Sequence, residues 1–599
     1  MRIFYIIQRA CLLLSAATVL AVGFVGLAPA QSVDGLPLPP GQIVVGPVYI
    51  RNDGLGPPVT NGAQANVYLG QTQEPFSFVN TASSPAVVVL TSTSTQYVRF
   101  YSPAGAAATG NAGASTALGS FIAGSNTVRG LTPAQIKDAL ALPWLPENVT
   151  IVTIPAGTCI LVGTGGPVLG NFPGVPGPSG HPPGPWGRGG PPQEYLIGTS
   201  ASPNCQNAQR LPATDYVNQQ PVGAYALAYA PRAGGGNAGA VATALDHATP
   251  PPLFTDMDSV YNALDLLNIG APGPLRTALA QLDGEIYADA PSVAIGVGRM
   301  FLDVLRDQTH LARDFTSLAD GGAWRPWVSG FGGGGALFGN GDVHGLGFGG
   351  GGIAAGGDYR FSPALQAGVA AAYARSAFNA VGFSGSGGLD TFAIGSYVGY
   401  AAGPWYADGA VGYSYNSAGV SRSINFPGVS RTAFGYVADN AFLSRAEAGY
   451  RLRLDDRTTA APFASFQGIV VGQNGFAEGG AGAINLNVSS RTAALALGAL
   501  GAELTYDFPL GLAAPLSVSA RAGWAHDFAD VNRSVEANLQ GTPDANFTVN
   551  GARWPRDAAA VGVRFSLPMQ SVNLFARYDG TLASSASIHS ATAGLLIAF

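Results

Sequence analysis

Charge is scarce in this chain. Asp, Glu, Lys and Arg together make up 11% of its 599 residues, against about a quarter in an ordinary soluble protein. Long apolar runs are missing too: beyond the N-terminal region no run of about 18 apolar residues occurs, which excludes a bundle of membrane-spanning helices. Lysine is reduced to Lys137, and at a net charge of −6 no basic cluster forms, so nucleic acid is not an implied partner. Cysteine occurs three times. Together with the scattered His181 and His247, the cysteines form no ligand-spaced metal cluster, and no cofactor is expected. An apolar chain that is poor in charge and lacks long apolar runs has one main way into a membrane. That is a closed β-barrel, which with the helix is all that satisfies the backbone's hydrogen bonds in lipid.

The N-terminus sets a route. Arg2 and Arg9 precede an apolar stretch from Ala10 to Leu27, followed by Ala28-Pro29-Ala30. This reads as a secretory signal peptide over residues 1–30, addressed to the Sec translocon. Cys11 falls inside the apolar stretch, where it cannot serve as a lipoprotein anchor. Cys159 and Cys205 survive cleavage, and an oxidising compartment permits a bond between them. Such a loop contributes about 4 kcal/mol in the chain-entropy model. The alternative is two unpaired small core residues.

The exported part opens with short segments rich in Val, Ile, Thr and Tyr, such as 42–45, 86–90, 96–101 and 150–154, which predict strands. Thr132-Pro133-Ala134-Gln135 predicts one capped helix running to Leu142. Gly and Pro dominate 165–192 without a strict third-residue glycine, so a PPII-like loop is expected and collagen is not. The Gly/Ala-rich Gly234–Ala242 and Pro250-Pro251-Pro252 predict a linker. Helical spacing follows in Tyr261, Leu264, Leu275, Leu279, Leu282 and Ile286, with Pro272 and Pro274 dividing two short helices. A third helix is expected from Val293 to Phe315.

Beyond Gly322 the period becomes two. Ala446, Ala448 and Tyr450 alternate with Arg445, Glu447 and Gly449; Val561, Val563 and Phe565 alternate with Gly562 and Arg564. A soluble sandwich shows similar alternation. The length of the segments and the alternation of tight turns with longer loops, such as Asn379–Gly388 and Asn474–Asn487, favour spanning strands. Twelve segments are counted, from 324–333 to 589–599. The fold class expected is mainly β: a C-terminal 12-stranded antiparallel transmembrane β-barrel with a preceding plug helix, and a small β-rich N-terminal part.

Several segments resemble the autotransporter β-domain. Trp327-Val328-Ser329-Gly330-Phe331-Gly332-Gly333 resembles its first strand and Ala354-Ala355-Gly356-Gly357-Asp358-Tyr359 its second. Leu282-Asp283-Gly284-Glu285-Ile286-Tyr287-Ala288 resembles the segment ahead of its barrel. Tyr578-Asp579-Gly580-Thr581 and His589-Ser590-Ala591-Thr592-Ala593-Gly594-Leu595 resemble its last two strands. The resemblance spans roughly Tyr261 to Phe599 and implies type V secretion. On that reading, barrel-assembly machinery and periplasmic chaperones insert the barrel into outer-membrane lipid. The passenger then reaches the cell surface, and a helix fills the pore. The family's Asn-Asn self-cleavage pair is absent from 293–315. The expected division is signal peptide 1–30, passenger 31–250, helical linker and plug 251–320, and barrel 321–599.

Lumen-facing charges are expected at Arg445, Glu447, Arg451, Arg453, Glu503, Arg521, Arg564, Arg577 and Asp579, because a charge facing lipid at the midplane costs about 2–4 kcal/mol. Some are expected to hold the plug through Arg299, Asp303 or Arg306. Leu595, Ile597 and Phe599 form the apolar face of the last strand, read as a barrel-assembly signal. No catalytic site is expected: Gly177-Pro178-Ser179-Gly180 beside His181 lacks the spacing of a nucleophile elbow. The competing readings are a porin-like barrel with a periplasmic N-terminal extension, and an autotransported enzyme.

Overall fold

The structure is a computed structural model. It describes residues 31–33, 36–38, 42–44, 59–71, 73–117, 119–174, 180–199, 205, 216–222, 228–252, 255–314, 324–510, 515–569 and 572–597. The expected signal peptide and the terminal Phe599 lie outside the described residues. The chain forms two compact units, Met1–Val222 with Leu253–Thr255, and Gly223–Pro252 with Asp256–Phe599.

Among the described residues the first unit has two larger sheets besides the short pairing of Gln31–Val33 with Leu36–Leu38. One has the strand order Gln42–Val44, Ala86–Thr91, Thr158–Thr164, Pro192–Thr199, Phe121–Ile122; the other runs Tyr216–Pro221, Asn148–Ile154, Thr95–Tyr101. The Thr158–Thr164 strand is apolar on both faces and buried on both. Ile160 and Val162 join Tyr97, Val152 and Ile154 in one cluster, while Cys159 and Leu161 join Phe78, Ala65 and Val88 in another. Period-two geometry divides them in this way. Cys159 is disulfide-bonded to Cys205, which resolves the choice between a bond and two free core thiols. The Pro133–Ala139 helix carries the expected capping box, with Thr132 and Gln135 each bonding the other's backbone.

The second unit contains the closed barrel. Twelve antiparallel strands run from Trp324–Leu337 to Ala586–Ile597, and these two pair with each other from Trp327↔Leu596 to Leu337↔Ala586. The sandwich alternative fails on the direction of the faces. Val369 and Ile394 are 61% and 62% exposed on the outside, whereas Arg445 and Glu447 are 9% and 3% exposed inside. Water would reverse that arrangement; hydrocarbon favours it. Aromatic pairs such as Trp324–Tyr359, Trp405–Tyr450 and Tyr506–Phe508 ring the end with the tight turns, as expected of an interfacial girdle. Both strand termini lie at that end.

Several loops differ from expectation. Asn379–Gly388 is mostly strand, because Leu365–Val381 and Ser386–Ala402 extend to within a four-residue turn of each other. The Trp405–Phe426 and Val429–Tyr450 strands form a hairpin of 22 residues each. Asn474–Asn487 contains the short Phe476–Ala477 strand and the start of Leu486–Val488. These pair onward with Ser534–Leu539 and Phe547–Asn550 in a four-stranded sheet of their own.

The expected linker at Gly234–Ala242 is largely a helix, Gly236–His247. Alanine recurs through it, and alanine is the strongest helix former; burial of Val241 and Leu245 supplies the rest. This helix joins Asp256–Ile269 and Pro272–Leu282 against the loop sheet, with Val260, Leu279, Val535 and Leu539 in one apolar cluster. Pro272 and Pro274 occupy the start of the last of these helices, where a missing N–H costs nothing. Asn237 Nδ2 donates to Asn550 O at 2.8 Å, and Asn550 N–H returns a bond at 2.9 Å. The three helices are thus a cap on the long-loop mouth of the barrel.

Candidate functional site

From the cap the chain enters the lumen. The lumen helix runs Glu285–Asp314, starting eight residues before the expected Val293; Phe315 lies outside the described residues. At about 1.5 Å per residue, thirty residues give some 45 Å, enough to cross a hydrocarbon core of about 30 Å. Gly284 sets the entry. Its φ of +74° suits glycine, and a Cβ there would collide with Leu486. The Asp283 carboxylate accepts the Glu285 N–H at 2.8 Å. Ile286, expected in the preceding helix, therefore belongs to this one.

Pro291 lies inside the helix and cannot donate to the carbonyl of Tyr287, four residues back. Arg491 on the wall replaces that donor: Nη2 reaches Tyr287 O at 2.5 Å and Ala288 O at 3.0 Å. The helix continues past Pro291 to Asp314, with the wall meeting its missing bond.

At the long-loop mouth, Tyr287 Oη donates to Glu478 Oε1 at 2.6 Å. Arg422 grips the same carboxylate through two bonds of 2.8 Å. Glu285 accepts from the His344 backbone N–H at 2.6 Å and pairs with its Nδ1 at 3.0 Å. This bond raises the His344 ring above its usual pKa. Burial and the neighbouring Glu285 push Asp283 up to about 8.

The middle is a close apolar fit. A Cβ on Gly298 would come within 2.8 Å of Leu443, and one on Gly395 within 3.0 Å of Leu305. Glycines on helix and wall thus let the two surfaces meet. Every described side chain from Leu282 to Leu311 is buried except Arg299 and Asp303, which are partly so.

Near the tight-turn end lies a charged belt. Asp303 pairs with Arg445 at 3.0 Å and approaches Arg306 and Arg577 at 3.8 and 4.0 Å. Asp307 pairs with Arg577 at 2.8 Å. Arg306 faces Asp579 at 3.6 Å and Asp307 at 3.9 Å. Glu447 bridges Arg445 at 3.0 Å and Arg521 at 2.8 Å, and Arg521 also lies over the Phe463 ring. His310 lies 3.7 Å from both Asp408 and Glu447. Burying charge is tolerable only with such pairing. Below this belt Gln366 Nε2 donates to Thr309 O at 3.2 Å.

Of the residues expected in the lumen, Arg445, Glu447, Arg521, Arg577 and Asp579 meet Asp303 and Arg306 in this belt. Glu503 approaches Arg521 at 4.0 Å, and Arg564 is buried. Arg299 differs in kind: it bonds neutral Gln467 and Thr581 at 3.3 and 3.4 Å. Arg451 and Arg453 are not in the belt. They lie at the turn after Tyr450, where Arg451 donates to Gly403 O and Arg453 to Asp456, because the strand face on which they were counted ends there. Leu595 and Ile597 are on the outward face of the last strand, with Leu596 turned inward and buried. In the first unit, His181 packs edge-on against Phe172 and Trp186, and the adjoining 177–179 lies outside the described residues. Sequence reading missed Asp307, His310, Glu478 and Arg491. Alternation marks a strand's inward face but not which turn of a helix will stand opposite it.

Residues 326–579 match the autotransporter beta-domain family. Among solved structures, the translocator domain of autotransporter NalP from Neisseria meningitidis is similar at 18% identity and a TM-score of 0.42, covering 52% of this chain and 98% of that one. The beta domain of the Bordetella autotransporter BrkA is similar at 19% identity and a TM-score of 0.35, covering 46% and 100%. The transport unit of AIDA-I from Escherichia coli is similar at 14% and 0.33, covering 49% and 97%. No curated protein matches the chain.

Proposed function

We propose that this chain, which belongs to the autotransporter beta-domain family through residues 326–579, exports its own N-terminal part to the cell surface and retains it there by the helix left in the pore. The observation that supports this is the direction of the lumen helix. Glu285 is at the long-loop mouth, bonded to His344, and Thr309 is near the tight-turn end, bonded to Gln366. Tight turns face the periplasm in outer-membrane barrels. The chain ahead of Glu285 thus starts on the outer side and passes inward before entering its first strand at Trp324. A porin with a periplasmic extension has no reason to thread its own lumen from outside.

The buried charged belt supports retention. Sliding the helix out would separate Asp303, Arg306 and Asp307 from their wall partners, and unpaired buried charge is costly. The reading carries a displayed domain that binds and does not catalyse, and an assembly signal in the last strand at Leu595, Ile597 and Phe599.

Surface proteolysis tests export. Epitope tags are inserted after Gly113, in an exposed turn of the first unit, and at Gly403-Pro404, in a tight turn. On intact cells the first tag is cut and the second is protected. Protection of the first tag until the outer membrane is opened would overturn the proposal.

A further inference from the structure

The first unit encloses a cavity of about 320 Å³ that no part of the export reading uses. One wall is the Thr95–Tyr101 strand and the residues after it. Another is the stretch after the Pro133–Ala139 helix, including Trp144, and a third is the Gly/Pro-rich loop carrying His181 and Trp186. In that loop Phe172, His181 and Trp186 stack edge-to-face with centroids 5.2–5.5 Å apart. In the loop that the sequence assigns as PPII-like, these three described residues form a built aromatic wall. Lys137 Nζ donates to Trp186 O and ties the loop to the helix.

Tyr101 lines this cavity and is 3% exposed, yet its buried hydroxyl bonds to no described group. A buried hydroxyl without a partner is unfavourable and therefore informative. Other groups around it are already engaged. Trp144 Nε1 donates to Thr109 Oγ1 at 2.8 Å and Trp186 Nε1 to Pro182 O at 3.2 Å, leaving these indoles with engaged N–H groups. Among the described residues, Arg99 is the single lining residue with a full charge. Its Nε and Nη1 bond the carbonyls of Thr116 and Phe121 at 2.9 and 2.7 Å, and a Cβ at Gly119 would run into its guanidinium. No carboxylate lines the cavity among the described residues.

We infer that this cavity binds one neutral, hydroxylated ring, a monosaccharide unit. The volume is at the small end for ligand sites and suits a single ring. The negative face of an aromatic ring attracts the weakly positive C–H face of a sugar. Tyr101 can both donate to and accept from a hydroxyl, as can Ser77 and the amides of Gln71 and Gln193, which also line the cavity. A described lining that lacks carboxylates and has its guanidinium bonded to carbonyls favours neither a cation nor an anion.

The test uses the full-length protein in a detergent without a sugar headgroup, so it does not depend on export. It is titrated with the methyl glycosides of glucose, galactose, mannose and N-acetylglucosamine, followed by tryptophan fluorescence and calorimetry. At least one glycoside binds saturably. Tyr101→Phe, which keeps the ring, weakens that binding at least fivefold, and Trp144→Ala abolishes it. Thermal unfolding of each variant separates lost binding from lost folding. No saturable binding by any of the four would overturn the inference. So would binding unchanged in Tyr101→Phe, or binding of phenol in place of every glycoside.

Discussion

Arg491 stands where Pro291 leaves a gap: the guanidinium bonds the Tyr287 carbonyl at 2.5 Å, the acceptor that a proline four residues on cannot serve. The two residues form a unit although 200 positions separate them.

Removing Arg491 therefore strands Tyr287 O, the carbonyl that Pro291 cannot serve, inside the protein. Arg491→Ala should destabilise the seated helix by about 1–3 kcal/mol, lowering the temperature at which the folded barrel is lost on a heat-modifiability gel. Pro291→Ala in that background restores an N–H donor to Tyr287 O and should recover part of the loss. Additive losses in the double variant would show that the two residues do not compensate.

Arg306 and Arg299 differ in their partners, and charge reversal should separate them. Arg306 faces Asp303, Asp307 and Asp579, whereas Arg299 bonds Gln467 and Thr581. Arg306→Glu should raise pore conductance in planar bilayers well above that of Arg299→Glu. Arg577→Ala leaves Asp307 without its 2.8 Å partner and should cost about 3–5 kcal/mol. Equal conductances for the two reversals would dissociate the charged belt from plug retention.

Glu194 gives the first unit a pH dependence. Burial pushes its carboxyl from the ordinary 4.5 up to about 8, and its nearness also raises the Tyr97 hydroxyl, itself lifted first by burial. Below about pH 4.5 folded and unfolded chains both hold the proton. Between there and about 8 only the folded chain does, so each rise in pH favours unfolding. The unit should be most stable near pH 4.5 and progressively less so up to about pH 8, then level. Glu194→Gln should flatten the slope in denaturant titrations at pH 5 and pH 8; a slope unaltered by that substitution would assign the effect elsewhere.

The Cys159–Cys205 bond closes a loop of 46 residues, which corresponds to about 4 kcal/mol in the chain-entropy model. Cys159→Ser should lower the unfolding midpoint of the first unit while leaving barrel heat-modifiability unchanged. Cys159 is buried in the strand it shares with Leu161, so a parallel Cys205→Ser variant distinguishes the lost bond from a disturbed core.

Much of the barrel is legible in the residues. Alternation of Arg445 and Glu447 with Ala446 and Ala448 admits only one way to face lipid, because a misdirected charge costs more than any single contact returns. The twelve strands, their antiparallel order and the shared side of both ends follow from that period and the tight turns. The Thr132–Gln135 capping box is equally local. Wherever a property depends on neighbours within a few residues, or on a repeating face, composition and spacing suffice.

The rest depends on residues that meet only after folding. Whether Asp307 or Asp303 faces Arg577 depends on how the helix is rotated in the lumen, which the fit of Gly298 against Leu443 and Gly395 against Leu305 decides. Gly236–His247 has a linker's composition and becomes a helix because the cap buries Val241 and Leu245. The Gly/Pro-rich loop has no periodicity to read, and its aromatic wall exists only where Phe172, His181 and Trp186 come together. Pairing across long sequence separations is set by shape and packing, and a linear pattern carries no record of either.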